Sequence, residues 1–191
     1  MLLKKATRLT DMTQNLYTID DLANLPPPKW LLKNMLPDSG IAFVYGQPNH
    51  GKTTTLTAMI CEIVSEKQLK TVYTPTEGIL GLSGRILGWQ TVYKSDLSDL
   101  MLSAPSPNIC NSSDFSEYCD LLAKTKPRII VLDTFSGIAI GADENAAKDM
   151  SLIMSRLREL VAKLACLIIV VHHSGKDITN GLRGSSVLLA A

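Results

Sequence analysis

The most informative part of the sequence is Gly46-Gln47-Pro48-Asn49-His50-Gly51-Lys52-Thr53, which fits the pattern G-x-x-x-x-G-K-[ST]. Apolar residues 41–45 precede it, and a stretch with apolar residues at helical spacing follows it. A strand, a glycine-containing loop and a helix in this order suit an anion, because glycines let the backbone N–H groups curl around it and the helix adds the positive end of its dipole. The sequence therefore predicts a phosphate-binding loop.

The side chains of this loop point to a nucleotide and a metal ion. Lys52 can reach the β- and γ-phosphates, and the Thr53 hydroxyl can hold Mg²⁺. An ordinary strand–turn–helix with a buried glycine does not explain a Lys-Thr pair at this spacing. The residues expected to bind the nucleotide are Gly46, Gln47, Pro48, Asn49, His50, Gly51, Lys52, Thr53 and Thr54.

Composition limits the class of protein. The chain has 191 residues, of which 46% are hydrophobic and 19% charged, and this suits one α/β domain with a sizeable core. The net charge of +1 is low for a protein that coats nucleic acid, so contact with DNA or RNA must depend on a local patch. The chain carries no apolar run near the roughly 20 residues of a membrane span and no signal-peptide pattern, so we expect no membrane association.

The cysteines indicate a reducing compartment. The chain has four of them and no C-x-x-C pair, and two lie in apolar segments. We expect all four to be reduced and mostly buried, which suits the cytoplasm. They are Cys61, Cys110, Cys119 and Cys166.

Strand-like and helix-like patterns alternate after the loop. Short apolar runs predict strands at residues 70–74, 100–104, 128–133 and 167–171. Helical spacing predicts helices directly after the loop, at about 79–89 and 114–124, and from about 150 to 164, with Asp143 as a plausible N-cap of the last one. The alternation implies parallel pairing in a doubly wound α/β sheet.

The two ends of the chain carry weaker patterns. We expect an N-terminal arm over residues 1–24 and an ATPase-type domain over 25–191. Pro26-Pro27-Pro28 cannot be helical. The apolar patch that follows, between Trp30 and Leu36, serves either as a clasp on the core or as a subunit contact. The chain stops inside the apolar run 187–191, so we expect a fragment of a longer protein that lacks C-terminal strands.

Two carboxylates are expected to join the loop. Asp133 ends an apolar strand and can bind the magnesium shell directly or through water. Thr134 follows it, at the position where many ATPases keep a water-activating Glu, so we look for the general base elsewhere. Glu77 lies just beyond a predicted strand, and the carboxyl ends of parallel strands meet at one ligand crevice. The alternative for Glu77 is a solvated loop side chain.

Two histidines end the last predicted strand, at the same edge. Because side chains alternate along a strand, only one of His172 and His173 can face a terminal phosphate and sense it. A structural histidine and a bound metal are the alternatives. The Gly- and Ser-rich stretch 174–186 follows and carries Lys176 and Arg183, which either grip phosphates of a polyanion or lie in a solvated turn.

Several stretches together resemble the RecA-like ATPases and, more narrowly, the hexameric replicative helicases that include plasmid RepA helicases and are akin to DnaB. The phosphate loop indicates nucleotide binding only, whereas the pairing of HHSGKD with RGSS is far more typical of this group. The matching stretches run from about residue 26 to the end of the chain. They are Pro26-Pro27-Pro28 with Trp30, GQPNHGKTT, YTPTEG, VLDTFS, GADEN, HHSGKD and RGSSVLLAA.

The resemblance implies a RecA-like P-loop fold whose phosphate-loop strand lies beside the histidine strand. It implies hydrolysis of ATP with Mg²⁺ between neighbouring subunits of a homo-hexameric ring, coupled to movement on single-stranded DNA. A RecA-type recombination or repair ATPase and a nucleotide-dependent regulatory or assembly module without motor activity are the alternatives. Relatives continue past RGSS with further strands and an arginine that reaches the next subunit's site.

The resemblance also assigns roles residue by residue. It implies that Glu77 is the general base and that His173 senses the phosphate. Arg85 is expected near the nucleotide, and Lys176 and Arg183 are expected to face DNA or the neighbouring subunit. The catalytic set is then Lys52, Glu77 and His173, and the magnesium ligands are Thr53 and Asp133. Asn49 and His50 stand where small residues are commoner, so the rate of hydrolysis is expected to differ.

Overall fold

The structure is a computed structural model that describes residues 16–173. Along these residues six helices and seven strands follow one another. They are α1 (Ile19–Ala23), β1 (Trp30–Leu32), β2 (Leu36–Pro37), β3 (Gly40–Gly46), α2 (Lys52–Lys67), β4 (Thr71–Pro75), α3 (Ile79–Tyr93), β5 (Leu100–Leu102), α4 (Ser112–Thr125), β6 (Ile129–Asp133), α5 (Phe135–Ile138), α6 (Ala147–Leu164) and β7 (Leu167–His173).

Five of the strands form one parallel sheet in the order β3-β7-β6-β4-β5. The predicted doubly wound α/β architecture is therefore confirmed, and so is the pairing of the phosphate-loop strand with the histidine strand. The register sets Gly46 opposite His173 and Pro75 opposite Asp133. Since all five strands run the same way, their carboxyl ends share one edge of the sheet, and the candidate site residues follow from those ends.

Each face of the sheet carries its own core. Strand side chains alternate, so Val131 and Ile169 pack on the α2 and α3 side, whereas Ile130 and Ile168 pack on the α4, α5 and α6 side. The central strands β4, β6 and β7 are buried along almost their whole length, as continuous apolar runs in a parallel sheet require. Burial on both faces fixes the strand ends, and with them the edge that carries the site.

The helix α6 has the amphipathic pattern that the sequence predicts. Its inward stripe is buried and consists of Met150, Ile153, Met154, Leu157, Leu160 and Val161. Burying a side chain of this kind stabilises the fold by about 1.5–3 kcal/mol. None of the helices within residues 16–173 combines the length and the apolar character that crossing a bilayer requires.

The predicted N-cap of α6 is wrong. The helix begins at Ala147, and its N-cap residue, Ala146, has no side-chain cap. Asp143 instead lies in the preceding turn, where its Oδ1 accepts a hydrogen bond from the N–H of Asn145 and its own N–H donates to Asp149 Oδ2. Because Asp143 makes its hydrogen bonds within this local turn, its side chain does not cap the helix.

The N-terminal segment forms a small hairpin against the core. Residues 25–29 are not helical, as the prolines predict, and β1 and β2 then pair in antiparallel fashion. Leu31 and Leu36 are buried in the core on the α2 side, which supports the clasp interpretation. Trp30 and Met35 of the same patch are 42% and 64% exposed, so a subunit contact through them stays a prediction.

The four cysteines are free, as the sequence predicts. Cys61 and Cys166 are buried, and Cys110 and Cys119 are partly exposed. Burial raises the pKa of Cys61 to about 11 and that of Cys166 to about 12, because the thiolate would be poorly solvated in the core. The two buried thiols are therefore chemically inert at neutral pH.

Candidate active site

The phosphate-binding loop connects the end of β3 to the start of α2. Asn49 and Gly51 have left-handed backbones, with φ of 62° and 77°, and they turn the chain over the edge of the sheet. Gly51 is the N-cap of α2, and no side-chain cap occupies the first turn of this helix. The free N–H groups of that turn and the helix dipole are thus available to an anion.

Lys52 lies across the mouth of this loop. Its Nζ donates hydrogen bonds to the carbonyl oxygens of Gly46 (2.9 Å) and Gln47 (2.8 Å). Burial lowers the pKa of Lys52, and the negative charge of Asp133 partly opposes that shift. The ammonium group is held by carbonyl oxygens that a phosphate oxygen can replace, which is the arrangement expected of a lysine that binds phosphate.

The two histidines at the end of β7 face opposite sides, as strand alternation predicts. His173 Nδ1 lies 3.3 Å from Lys52 Nζ, so this ring belongs to the phosphate loop. His172 is buried and packs on the Phe135 ring, with the ring centroids 4.7 Å apart. Of the two, His173 therefore has the geometry needed for a phosphate sensor, and that role stays a prediction.

A cleft of about 270 Å³ opens beside the loop. It brings together four residues that the sequence singles out, two from the ends of the strands β4 and β6 and two from the helices α2 and α3. Its lining consists of Thr53, Pro75, Glu77, Gly78, Gly81, Leu82, Arg85, Asp133 and Thr134. The shared edge of the parallel sheet thus places Thr53, Glu77, Arg85 and Asp133 around one cavity.

Asp133 lies at the floor of this cleft and is only 6% exposed. Its Oδ2 accepts a hydrogen bond of 2.7 Å from the Tyr73 hydroxyl, and its backbone carbonyl accepts one from the N–H of Thr76. A carboxylate in so buried a position needs such partners, because its desolvation is costly. These bonds tie the end of β6 to β4, the strand that leads to Glu77.

Glu77 and Arg85 line the rim of the cleft. Glu77 lies two residues beyond the end of β4 and precedes Gly78, the left-handed N-cap residue of α3. Both side chains are exposed, and within residues 16–173 the Glu77 carboxylate makes no hydrogen bond or ion pair. A solvated carboxylate beside the cleft can accept a proton from a bound water, although its position is not fixed by contacts.

The donor set suits magnesium. The Thr53 hydroxyl and the Asp133 carboxylate are hard oxygen ligands in one cleft, and Mg²⁺ in proteins typically takes one or two such ligands together with water and phosphate oxygens. When bound there, Mg²⁺ would neutralise charge on the phosphates. Lys176 and Arg183, the predicted contacts to DNA or to another subunit, lie outside the described residues.

The sequence analysis missed Tyr73, which contacts Asp133 directly. A signal for it was present, because a tyrosine in a buried strand must find a partner for its hydroxyl. The parallel register places Tyr73 opposite Val131, so that the same face of the neighbouring strand continues to Asp133. Only the pairing of β4 with β6 reveals that partner.

A comparison with protein-family models agrees with this geometry. A model described as an AAA domain matches residues 6–178, which include the loop, the cleft and both histidines. A comparison with curated proteins found no match. The parallel sheet, the loop and the family match together give a RecA-like P-loop NTPase fold. The chain thus belongs to the AAA domain family, a family of P-loop ATPases that includes RecA-like, helicase-type members.

Proposed function

We propose that this chain is the ATP-binding and ATP-hydrolysing motor domain of a replicative-type DNA helicase that acts on single-stranded DNA. The observation that carries the proposal is the convergence at one sheet edge. Lys52 and His173 meet there at 3.3 Å, beside a cleft lined by Thr53, Glu77 and Asp133. A cationic grip, two oxygen ligands for magnesium and a free carboxylate are the parts that phosphoryl transfer to water requires.

Each residue has a defined task in this proposal. Lys52 exchanges its carbonyl partners for oxygens of the β- and γ-phosphates, and Thr53 and Asp133 hold the magnesium ion. Glu77 orients the attacking water and accepts its proton. The water oxygen forms a bond to the γ-phosphorus while the bond to the β–γ bridging oxygen breaks, which yields ADP and inorganic phosphate.

His173 is the proposed link between hydrolysis and DNA. Its ring lies beside the Lys52 ammonium, so loss of the γ-phosphate changes its electrostatic surroundings. The chain runs directly from His173 into the segment that carries Lys176 and Arg183. A histidine that responds to the phosphate can therefore pass a change to cations suited to a DNA backbone. The sequence resemblance to hexameric helicases supports a ring of identical subunits as the working form.

The net charge of +1 favours one alternative, a nucleotide-dependent regulatory or assembly module without motor activity. A net charge this low does not indicate a nucleic-acid partner, because non-specific DNA binding depends on many cationic contacts. A RecA-type recombination ATPase would share the same site and differ in its assembly on DNA.

The experiment that tests the proposal is steady-state ATP hydrolysis with and without single-stranded DNA, with duplex DNA as the matched control. We expect Mg²⁺-dependent turnover that single-stranded DNA raises several-fold. Turnover without any response to DNA would favour the regulatory module, and absence of ATP binding would overturn the nucleotide site itself. Electron microscopy on single-stranded DNA separates closed rings from helical filaments.

A further inference from the structure

One buried side chain at the site has no part in the steps described so far. Tyr73 is fully buried on β4, and its hydroxyl donates to Asp133 Oδ2 at 2.7 Å. The bond joins two neighbouring strands of the sheet. It engages one carboxylate oxygen and leaves Oδ1 available to the cleft. A hydrogen bond to a charged acceptor in the interior is stronger than one in water.

A second buried hydroxyl supports the site from helix α2. Thr57 donates its hydroxyl to the backbone carbonyl of Thr53 at 2.6 Å. Both residues proposed to hold magnesium are therefore bonded by a buried hydroxyl, Thr53 through its backbone by Thr57 and Asp133 through its side chain by Tyr73.

We propose that Tyr73 is the positioning residue of the magnesium site: its hydroxyl fixes the Asp133 carboxylate through Oδ2 and presents Oδ1 to the magnesium shell. This inference rests on the proposed function, because it assumes that Mg²⁺ and a nucleoside triphosphate occupy the cleft. Partners of metal ligands set the orientation of those ligands, and their loss typically lowers metal affinity by about 10–100-fold.

The chain offers a matched control that contacts the same strand from the other face of the sheet. Tyr118 of α4 is likewise buried, and its hydroxyl lies 2.8 Å from the Thr74 hydroxyl. Thr74 is the neighbour of Tyr73 on β4, so its side chain points to the opposite face of the sheet. Tyr118→Phe therefore removes a buried hydroxyl contact to β4 on the face away from Tyr73 and Asp133.

The experiment measures the Mg²⁺ concentration that gives half-maximal binding of a fluorescent ATP analogue to the full chain. We expect Tyr73→Phe to raise this concentration about tenfold and Tyr118→Phe to leave it within about twofold, although both lose a buried hydrogen bond. On an Asp133→Asn background, Tyr73→Phe should have almost no further effect, because the residue acts through Asp133.

Distinct outcomes separate the two hypotheses. Equal Mg²⁺ requirements in Tyr73→Phe and Tyr118→Phe, or an undiminished effect of Tyr73→Phe in the Asp133→Asn background, would overturn the positioning role alone. A wild-type chain without Mg²⁺-dependent nucleotide binding would overturn the proposed function, and the inference with it. If Tyr73→Phe fails to fold, Tyr73→Met replaces it, because it too removes the hydroxyl that bonds Asp133: a rise of about tenfold is expected, and no rise contradicts the inference.

Discussion

The two halves of the candidate site differ in how firmly the chain holds them. In the lysine half, formed by Lys52, Thr53 and His173, the Lys52 ammonium has two carbonyl partners and a histidine neighbour. The glutamate half consists of Glu77 and Arg85, whose side chains are exposed. The chain therefore builds its phosphate grip in advance, whereas contacts within residues 16–173 do not fix the orientation of the proposed base.

The helices behind the two halves show the same contrast. Six residues of α2 are buried, whereas α3 is nearly as long and buries only Leu82. Leu80, for example, is 84% exposed on α3. Ile86 and Trp89 of α3 pack partly against the same core. The helix α3 thus has fewer buried apolar residues than α2, and an element with fewer such contacts shifts at lower cost. We therefore expect the glutamate half to shift more readily than the lysine half.

The largest effect is expected from the lysine half. Lys52→Ala removes the cation that grips the phosphates, so ATP hydrolysis should fall about a thousandfold and ATP binding should weaken, while the fold stays intact. Turnover and nucleotide titration measure the two losses, and circular dichroism checks the fold. Lys67→Ala, at the exposed end of the same helix, is the control. Unchanged turnover in Lys52→Ala would refute the assignment of this half.

The second test separates the two halves. Glu77→Gln keeps the shape of the side chain but removes its basicity, so hydrolysis should fall about a hundredfold while ATP binding is kept. The pair of measurements distinguishes a base from a binding residue. Glu62→Gln, an exposed position on α2, should leave both unchanged. Normal hydrolysis with Gln at position 77 would move the base elsewhere.

A third test acts at the end of β4, just before the glutamate half. A Cβ at Gly137 would lie 2.2 Å from the Thr76 side chain. Thr76 is the residue before Glu77, and its hydroxyl oxygen accepts a hydrogen bond from the N–H of Thr134. Gly137→Ala should therefore destabilise the protein by about 1–3 kcal/mol. Urea unfolding measures this change.

A glycine on α3 supplies the control for that substitution. Gly88 has open space around the position of a Cβ, so Gly88→Ala should stabilise the helix by up to about 1 kcal/mol through its better helix propensity. Equal stability of Gly137→Ala and the wild type would show that Thr76 can move freely. The segment before Glu77 would then be held more loosely than its contacts indicate.

The smallest effect is the change of protein stability with pH that two buried cysteines cause. Cys61 on α2 and Cys166 before β7 have pKa values raised by burial from 9.0 to about 11 and about 12. Their contribution to stability is complete below about pH 9 and declines as the pH rises toward these folded-state values, because the unfolded thiols ionise first.

Thiol labelling checks this point. At pH 8, Cys110 and Cys119, which are partly exposed, should react well before Cys61 and Cys166. Urea unfolding between pH 8 and pH 10 should show falling stability, and replacing both buried cysteines with Ala should reduce that slope. Rapid labelling of Cys61 in the native protein would mean that the lysine half opens more readily than its burial implies.

The phosphate loop, the strands and the shared sheet edge could be predicted from the amino-acid sequence alone. The pattern around Gly46 and Lys52 defines the loop, because its residues interact over a few positions of the chain. The alternating apolar runs predict the parallel sheet. Because the carboxyl ends of parallel strands meet at one edge, the sequence also predicts that Asp133, Glu77 and His173 lie at that edge. The predicted helix cap at Asp143 was wrong, because this residue makes its hydrogen bonds within the preceding turn.

Contacts between side chains on different strands could not be predicted from the sequence, because they depend on the assembled fold. The bond from Tyr73 to Asp133 spans 60 positions in sequence, and the approach of His173 to Lys52 spans 121. Strand order and register create these contacts, and both depend on the packing of the whole sheet. The contrast between a fixed lysine and a free glutamate has the same origin, because burial is a property of the assembled core and not of any single segment.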